Sequence, residues 1–286
     1  MKSLMIAVAV AGGALAAFGE TLTFQGNSAA TSNGQFLWAD KRNWHTAGGA
    51  EKVPAEGDDL LIDMAINNFH AANSSAYVIG IHFTPNAKAS GISWNGLYLK
   101  AGGDGLLFEP TGDWSAYSTF YLDGDVKTTM KKSLSFTNAD SFNGRDATRK
   151  SRILKYGPGT LSGTGADVNW TGATIYEGQF TIKTINGRSG VDFYFDGSAT
   201  SAKLNMTGDL VLLDGGLQSS ETIPATGYEV LGNYTLTVSG TPKADNEYFA
   251  GAFINAASFT FNPTDATKTF TFAKATSTTS GNLGVA

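Results

Sequence analysis

Short apolar runs alternate with glycine-rich turns along most of this chain. The clearest stretch is 153–182, where apolar residues recur between closely spaced glycines: Leu154, Leu161, Ile175, Phe180 and Ile182 against Gly157, Gly159, Gly163, Gly165, Gly172 and Gly178. Brief runs bounded by Gly, Asn, Asp or Pro are typical of β-strands, and no segment shows a sustained helical period. A unit of this kind cannot bury its apolar face alone and must stack on neighbouring units.

This pattern predicts an all-β fold in which a parallel β-solenoid occupies residues 20–240. The segments 258–261 and 269–272 alternate more strictly, which favours an antiparallel edge with one solvated face. We therefore predict an antiparallel C-terminal cap or extension over 241–274, followed by a flexible tail over 275–286. The spacing of the runs is also compatible with a sandwich or a propeller.

The amino terminus has the pattern of a secretory signal peptide. Lys2 precedes an uncharged apolar run over 4–15, and small residues follow up to Gly19. The run is about twelve residues long, too short to span a bilayer as a helix. We predict a signal peptide over 1–19, a mature chain that starts at Ala17 or Glu20, and a location outside the cell or at its surface.

Composition narrows the functional classes. Charged residues make up 16% of the chain, and the formal net charge is −5 with scattered Lys and Arg, so a nucleic-acid-binding surface is not expected. Cysteine is absent, which excludes disulfides, thiolate metal sites and cysteine nucleophiles. No second long apolar stretch exists, so no membrane span is predicted in the mature chain.

Two segments resemble the passenger proteins of autotransporters. The first is similar to their amino-terminal pattern of a tryptophan, an Asn-Trp pair and a Pro-x-x-Gly-Asp segment, carried here by Trp38, Asn43, Trp44, Pro54, Gly57 and Asp58. The second resembles the autotransporter-associated β-strand repeat, with Lys-x-Gly-x-Gly-Thr-Leu at 155–161, Trp-Thr-Gly at 170–172 and a closing strand at 177–182. Together the matches cover roughly a fifth of the chain.

The resemblance implies a right-handed parallel β-helix with a structural or adhesive role outside the cytoplasm of a Gram-negative bacterium. Trp38 and Trp44 would cap the entrance of the solenoid.

In the repeat itself, three apolar residues would point inward and stack on equivalents about 4.8 Å away. These are Leu154, Leu161 and Ile175. Gly157 and Gly159 would supply positive φ angles at the corners.

No catalytic constellation is identifiable, and we predict a non-catalytic protein without a cofactor. β-Helices also host polysaccharide lyases and hydrolases, which need clustered carboxylates. The nearest candidates are Asp58, Asp59 and Asp63, and the first two fit the turn of the resemblance. The three histidines are isolated in the sequence and form no metal-binding pattern: His45, His70 and His82.

Two binding hypotheses remain. Asp123 and Asp125 flank a glycine and are the candidate ligands of a calcium ion, although this spacing is also common in turns. Aromatic residues concentrated in one region would stack on sugar rings if they share an outer face; the candidates are Trp94, Trp114, Tyr117 and Tyr121. The alternative is that these rings pack in the core or in turns.

The leading functional hypothesis is a non-catalytic extracellular or cell-surface β-solenoid with a structural or adhesive role. The alternatives are a carbohydrate-binding module and a polysaccharide-degrading β-helix enzyme. The expected partners are extracellular glycans or host and cell-surface components. End-to-end self-association through exposed strand edges is a further hypothesis.

Overall fold

The computed structural model describes residues 19–27, 36–66, 69–70, 77–89, 92–93, 96–167, 169–185, 191–196, 202–208, 210–213 and 216–219, and then short strands between 228 and 285. These residues are all-β apart from one turn of 3₁₀ helix at Lys41–Asn43. Within them no helix has the length and apolar character needed to cross a membrane. The predicted signal peptide lies outside the described residues except for Gly19.

The longest sheet, here the long sheet, has ten strands, and every neighbouring pair is parallel except the first. From the amino-terminal end its order is β3 (Trp44–Thr46), β1 (Thr21–Phe24), β4 (Asp59–Ile62), β7 (Gly80–Phe83), β11 (Gly105–Phe108), β14 (Val126–Met130), β17 (Arg152–Tyr156), β19 (Gly172–Ile175), β21 (Asp192–Phe195) and β24 (Gly216–Ser219).

The second sheet has eight strands: β9 (Ile92–Ser93), β12 (Trp114–Tyr117), β15 (Leu134–Phe136), β18 (Thr160–Gly163), β20 (Gly178–Ile182), β22 (Ala202–Met206), β25 (Tyr228–Leu231) and β28 (Ala252–Phe253). The third sheet contains β10 (Leu97–Lys100), β13 (Phe120–Asp123) and β16 (Phe142–Gly144). The distal sheet contains β23 (Leu210–Leu213), β26 (Thr235–Gly240), β29 (Ser258–Pro263) and β31 (Asn282–Val285). Three two-stranded pairs complete the described strands: β2 (Phe36–Leu37) with β6 (Phe69–His70), β5 (Ala65–Ile66) with β8 (Lys88–Ala89), and β27 (Tyr248–Phe249) with β30 (Thr271–Phe272).

The chain visits three of these sheets in rotation. From β10 to β18 it passes through the third, the long and the second sheet in that order, three times in all. Each strand pairs in parallel with the strand one rotation later, about 20 to 27 residues along the chain. Parallel stacking with no hairpin between successive coils is a β-solenoid, so the predicted fold class is confirmed.

The carboxyl-terminal strands differ from the predicted antiparallel cap. β26, β29 and β31 pair in parallel, so the stacking continues beyond residue 240 and into the predicted flexible tail. Alternation at 258–261 indicates that one face of a strand is covered, which holds for parallel and antiparallel strands alike. It therefore does not fix strand direction. Residues 275–281 and 286 lie outside the described part of the chain.

The antiparallel pair lies at the amino-terminal end instead. β3 runs against β1, with Trp44 opposite Phe24. Trp38 and Trp44 are both buried, their ring centroids are 5.3 Å apart, and the Trp44 indole donates a hydrogen bond to the Trp38 carbonyl at 3.0 Å. The two tryptophans thus close this end of the core, as predicted.

The core consists of ladders in which equivalent residues of successive coils lie in register. One inward ladder of the long sheet reads Leu22, Leu60, Ile81, Leu106, Thr128, Lys155, Ile175 and Phe195. All eight are buried. Two of them, Thr128 and Lys155, carry polar groups that need partners in this environment.

Lys155 finds its partners at the corner of the coil. Its Nζ donates to the carbonyl oxygens of Tyr156 at 2.9 Å, Gly157 at 2.7 Å and Glu177 at 3.0 Å. Three acceptors match the three N–H groups of an ammonium. Burial lowers the pKa of Lys155 to about 7, and the charge of Glu177 opposes this shift. The repeat lysine therefore ties one corner to the next coil from inside the core.

The position of Lys155 corrects two details of the repeat. Leu154 was predicted to point inward, but Ile153 and Lys155 take the inner positions, so the alternation of the strand places Leu154 on the outer face. Gly157 has the predicted positive φ, at 77°. Gly159 is needed for space instead, because a Cβ there would lie 2.4 Å from the Lys132 carbonyl oxygen.

Replacing Lys155 with Met removes three hydrogen bonds from the core. We expect the K155M variant to lose about 3 kcal/mol of unfolding free energy, measured by chemical denaturation. A lysine with a lowered folded pKa makes stability rise with pH between about 7 and its ordinary value near 10, and K155M should remove that rise. K150M, at an exposed lysine, is the control, and equal losses in both variants would contradict the role of Lys155.

Candidate functional site

The structure does not bring the predicted aromatic residues together. Trp114 packs inward, with its ring centroid 5.0 Å from that of Phe108. Tyr117 is 65% exposed on the second sheet, whereas Tyr121 lies on the third sheet. Trp94 lies outside the described residues. The three described members therefore form no common sugar-binding face.

Tyr121 belongs to an aromatic ladder. It is the cross-strand partner of Tyr98, and the two rings stack at 4.5 Å with an interplanar angle of 5°. Tyr77 packs edge-on against Tyr98 at 5.3 Å, and the Arg145 guanidinium lies 4.8 Å from the Tyr77 ring centroid. Since the coil spacing suits ring stacking, one face of each stacked ring is covered by the next. The stacked tyrosine rings therefore offer a sugar less exposed ring surface than isolated tyrosines would.

The predicted calcium ligands are occupied by arginines. The buried Asp123 carboxylate accepts hydrogen bonds from Arg145 at 2.6 Å and Arg149 at 2.9 Å. Asp125 accepts one from Arg152 Nε at 3.1 Å. Burial opposes ionisation of Asp123, but the two guanidinium groups outweigh it and lower its pKa. The described residues contain no group of three or more His, Asp or Glu positioned to hold a metal ion.

A groove on the outer face of the long sheet is the strongest candidate site. The outward ladder of β1, β4, β7 and β11 reads Thr21, Asp59, Gly80 and Gly105. Two successive glycines leave neighbouring coils without a side chain, and a groove of about 280 Å³ results. We call it the glycine groove; it is lined chiefly by Asp59, Leu61, Gly80, His82, Asp104 and Leu107.

One wall of the glycine groove is aliphatic. Leu61, His82 and Leu107 are successive cross-strand partners, and all three are half-buried on the outer face. His82 is held by Glu109, whose carboxylate lies 2.8 Å from His82 Nε2 and 2.6 Å from Lys131 Nζ. Hydrogen bonds from Lys131 and His82 lower the pKa of Glu109. The histidine is therefore fixed between two leucines.

The Asp59 carboxylate lies inside the groove. A Cβ at Gly80 would lie 1.9 Å from Asp59 Oδ1, so the carboxylate occupies space that a side chain at this position would take. Burial raises the pKa of Asp59, and the charges of Asp104 and Asp58 add to the shift. Among the described residues nothing forms an ion pair or hydrogen bond with this carboxylate. Asp59 is thus a half-buried acceptor that faces the groove.

The neighbouring carboxylate of Asp58, unlike that of Asp59, is hydrogen-bonded within the protein. The Asp58 carboxylate is buried and accepts hydrogen bonds from the Glu20 amide at 2.9 Å, the Ala55 amide at 2.8 Å and Lys52 Nζ at 2.8 Å. The interpretation of this segment as a structural turn therefore holds for Asp58. It does not account for Asp59.

A second, more open groove adjoins the first along the same face. It has a volume of about 560 Å³ and is lined by Lys127, Thr129, Lys131, Tyr156, Gly157, Pro158 and Glu177. Leu107 of the glycine groove is the cross-strand partner of Thr129 in this upper groove. From β1 to β17 the two grooves cover six strands, or about 24 Å along the solenoid.

Sequence reasoning missed the glycine groove because its residues are distant in the chain. Asp59, Gly80 and Gly105 belong to three different coils, and nothing local marks them as neighbours. A signal was present in the two outward leucines, Leu61 and Leu107. Each breaks the expected alternation of apolar inward and polar outward positions on a solvated sheet.

Comparisons with known proteins return no relative: no protein-family model, curated protein or solved structure matches the chain.

Asp58 and Asp59 are expected to respond oppositely to loss of charge. D58N should lower the unfolding free energy by about 2 kcal/mol, because it disrupts three hydrogen bonds to a buried carboxylate. D59N should leave the thermal midpoint unchanged or raise it at pH 7, since it relieves burial of an unpaired charge. Because the folded pKa of Asp59 is raised, its carboxylate destabilises the fold only when it is ionised. Any stability that D59N gains over the wild type should therefore vanish below about pH 4. Equal destabilisation by both substitutions would contradict this assignment.

The ion pairs of Asp123 give a second pH-dependent prediction. Because its folded pKa is lowered, its ionisation stabilises the fold above the ordinary carboxyl pKa near 4, and this contribution is lost as the pH falls through the folded value. D123N should therefore lower the thermal midpoint at pH 7 and converge with the wild type in acid. A rise in the wild-type midpoint with calcium that D123N abolishes would instead favour the metal hypothesis.

Proposed function

We propose that this protein is a non-catalytic β-solenoid that is exported to the cell surface or the medium and has a structural or adhesive role. The passenger-like resemblance supports this proposal through the amino-terminal pattern and the repeat lysine. The solenoid itself supports the coarser part of it, a rigid scaffold with long exposed faces.

The observation that carries the proposal is how the polar side chains are used. Several described carboxylates bind a residue about one coil away, and so connect adjacent turns of the solenoid. The pairs are Asp63 with Thr84, Glu109 with His82, Asp123 with Arg145, Asp125 with Arg152, and Asp167 with Asn143. A general acid or base has to exchange protons with a substrate, and groups held in this way are poorly placed for that task. They contribute to the rigidity of a scaffold instead.

One observation favours the alternative of a polysaccharide-degrading enzyme. Asp59 and Asp104 line one groove, and the pKa of Asp59 is raised, as a general acid requires. The purified chain should nevertheless release no reducing ends or unsaturated products from a panel of plant, bacterial and animal polysaccharides. Release that D59N abolishes would replace the proposal with the enzymatic alternative.

Export is tested by expressing the full chain in a bacterial host. We expect a product outside the cytoplasm whose amino terminus, read by mass spectrometry, is Ala17 or Glu20. A variant with Lys2 and the run over 4–15 deleted should stay inside the cell. Retention of the full chain in the cytoplasm with an intact amino terminus would contradict the proposal.

Adhesion is tested with the purified mature chain immobilised on a surface. It should retain bacterial or host cells, or their isolated glycans, above a coating of an unrelated β-protein. Equal retention by both coatings would limit the protein to a structural role.

A further inference from the structure

We propose that the glycine groove binds a sugar ring of a neutral linear glycan, with the chain of the glycan lying parallel to the solenoid axis. This inference rests on the proposed adhesive role and specifies the ligand and the residues that would bind it.

The groove combines a hydrogen-bond acceptor with aliphatic surface, and a sugar ring has groups that suit both. A pyranose presents hydroxyl groups at its rim and C–H groups on its faces. The Asp59 carboxylate lies in the groove with acceptor capacity unused by any described residue, and ionised carboxylates form strong hydrogen bonds with hydroxyl donors. Leu61 and Leu107 offer aliphatic surface for the C–H faces. His82, fixed by Glu109, stands between them as a further polar group.

The shape of the site favours a flat ring. Gly80 and Gly105 carry no side chain and are both buried, so no side chain of these two positions projects from the floor. A volume of about 280 Å³ accommodates one ring and part of a second. Side chains cannot be added at the floor, because a Cβ on Gly105 would lie 2.0 Å from the Lys127 carbonyl oxygen.

The direction of the glycan follows from the adjoining upper groove. Leu107 and Thr129 are cross-strand partners, so a chain leaving the glycine groove along the axis meets Lys127, Thr129 and Tyr156 next. Successive coils are about 4.8 Å apart, which is close to the advance per ring of an extended glycan. Each ring would therefore meet a new coil.

Charge and dimensions argue against other occupants. Burial and the charge of Asp104 already raise the pKa of Asp59, and an acidic sugar at this point would add another negative charge. The face of a folded protein needs about 800 Å² per partner, whereas this strip is only one short strand wide.

The experiment measures binding of the purified mature chain to defined probes by calorimetry. The neutral probes are β-1,4-linked hexasaccharides of glucose, mannose and xylose; the acidic probe is hexagalacturonate and the cationic probe is hexalysine. At least one neutral probe should bind saturably. D59N should weaken that binding at least tenfold while its thermal midpoint stays at or above that of the wild type.

A second variant tests the site without replacing Asp59. Thr21 is exposed and is the cross-strand partner of Asp59, so T21R places a guanidinium next to Asp59 and blocks the groove. It should also weaken binding at least tenfold. Y117A, at an exposed tyrosine on the second sheet, is the matched control and should bind as the wild type does.

The outcomes separate this inference from the proposed function. Binding of only the acidic or only the cationic probe, or neutral binding that D59N and T21R leave intact, would overturn the glycan assignment. If the mature chain adheres to cells and D59N adheres equally well, the groove assignment fails while the adhesive role stands. If the chain binds no probe and retains no cells, both fail.

Discussion

The register between successive coils controls both the core and the outer faces of this solenoid. Each strand of the long sheet takes its hydrogen-bond partners from the coils before and after it, so an inward position in one coil lies against an inward position in the next. Burial of one apolar face is impossible within a single coil and becomes continuous only through stacking. A shift by one residue would turn the whole inward set outward.

This constraint explains why polar residues occur in the core at all. Lys155 occupies an inward position because Ile153 and the strand period place it there, and the structure satisfies it with three carbonyl groups at the corner. The lysine thereby joins Tyr156 and Gly157 to Glu177 of the next coil. A buried lysine without hydrogen-bond partners would destabilise the fold, whereas here Lys155 connects two coils.

The same stacking determines what the outer faces offer a ligand. Where successive coils carry the same kind of side chain at one outward position, as with Tyr98 and Tyr121, the side chains stack on each other. Each then covers part of its neighbour's surface. Where charged residues follow one another, they form ion pairs between coils, as Asp123 does with Arg145. A polar side chain remains available to a ligand where neighbouring coils carry glycine at the equivalent position. At Gly80 and Gly105 two side chains are missing, and Asp59 is left with an unfilled groove rather than a partner.

The fold class was predictable from the amino-acid sequence, because short apolar runs between glycines can bury their apolar faces by stacking. The positive φ of Gly157 was also predictable, since it is a local property of a turn. Trp38 and Trp44 were predicted at the entrance, and the packing of their rings bears this out. The direction of the carboxyl-terminal strands, the inward position of Lys155 and the separation of Trp114, Tyr117 and Tyr121 became visible only in the folded chain. Alternation is a local property of one strand, whereas the neighbours of an outward side chain come from coils about 20 residues away. The glycine groove exists only through that register, so no single segment of the chain contains it.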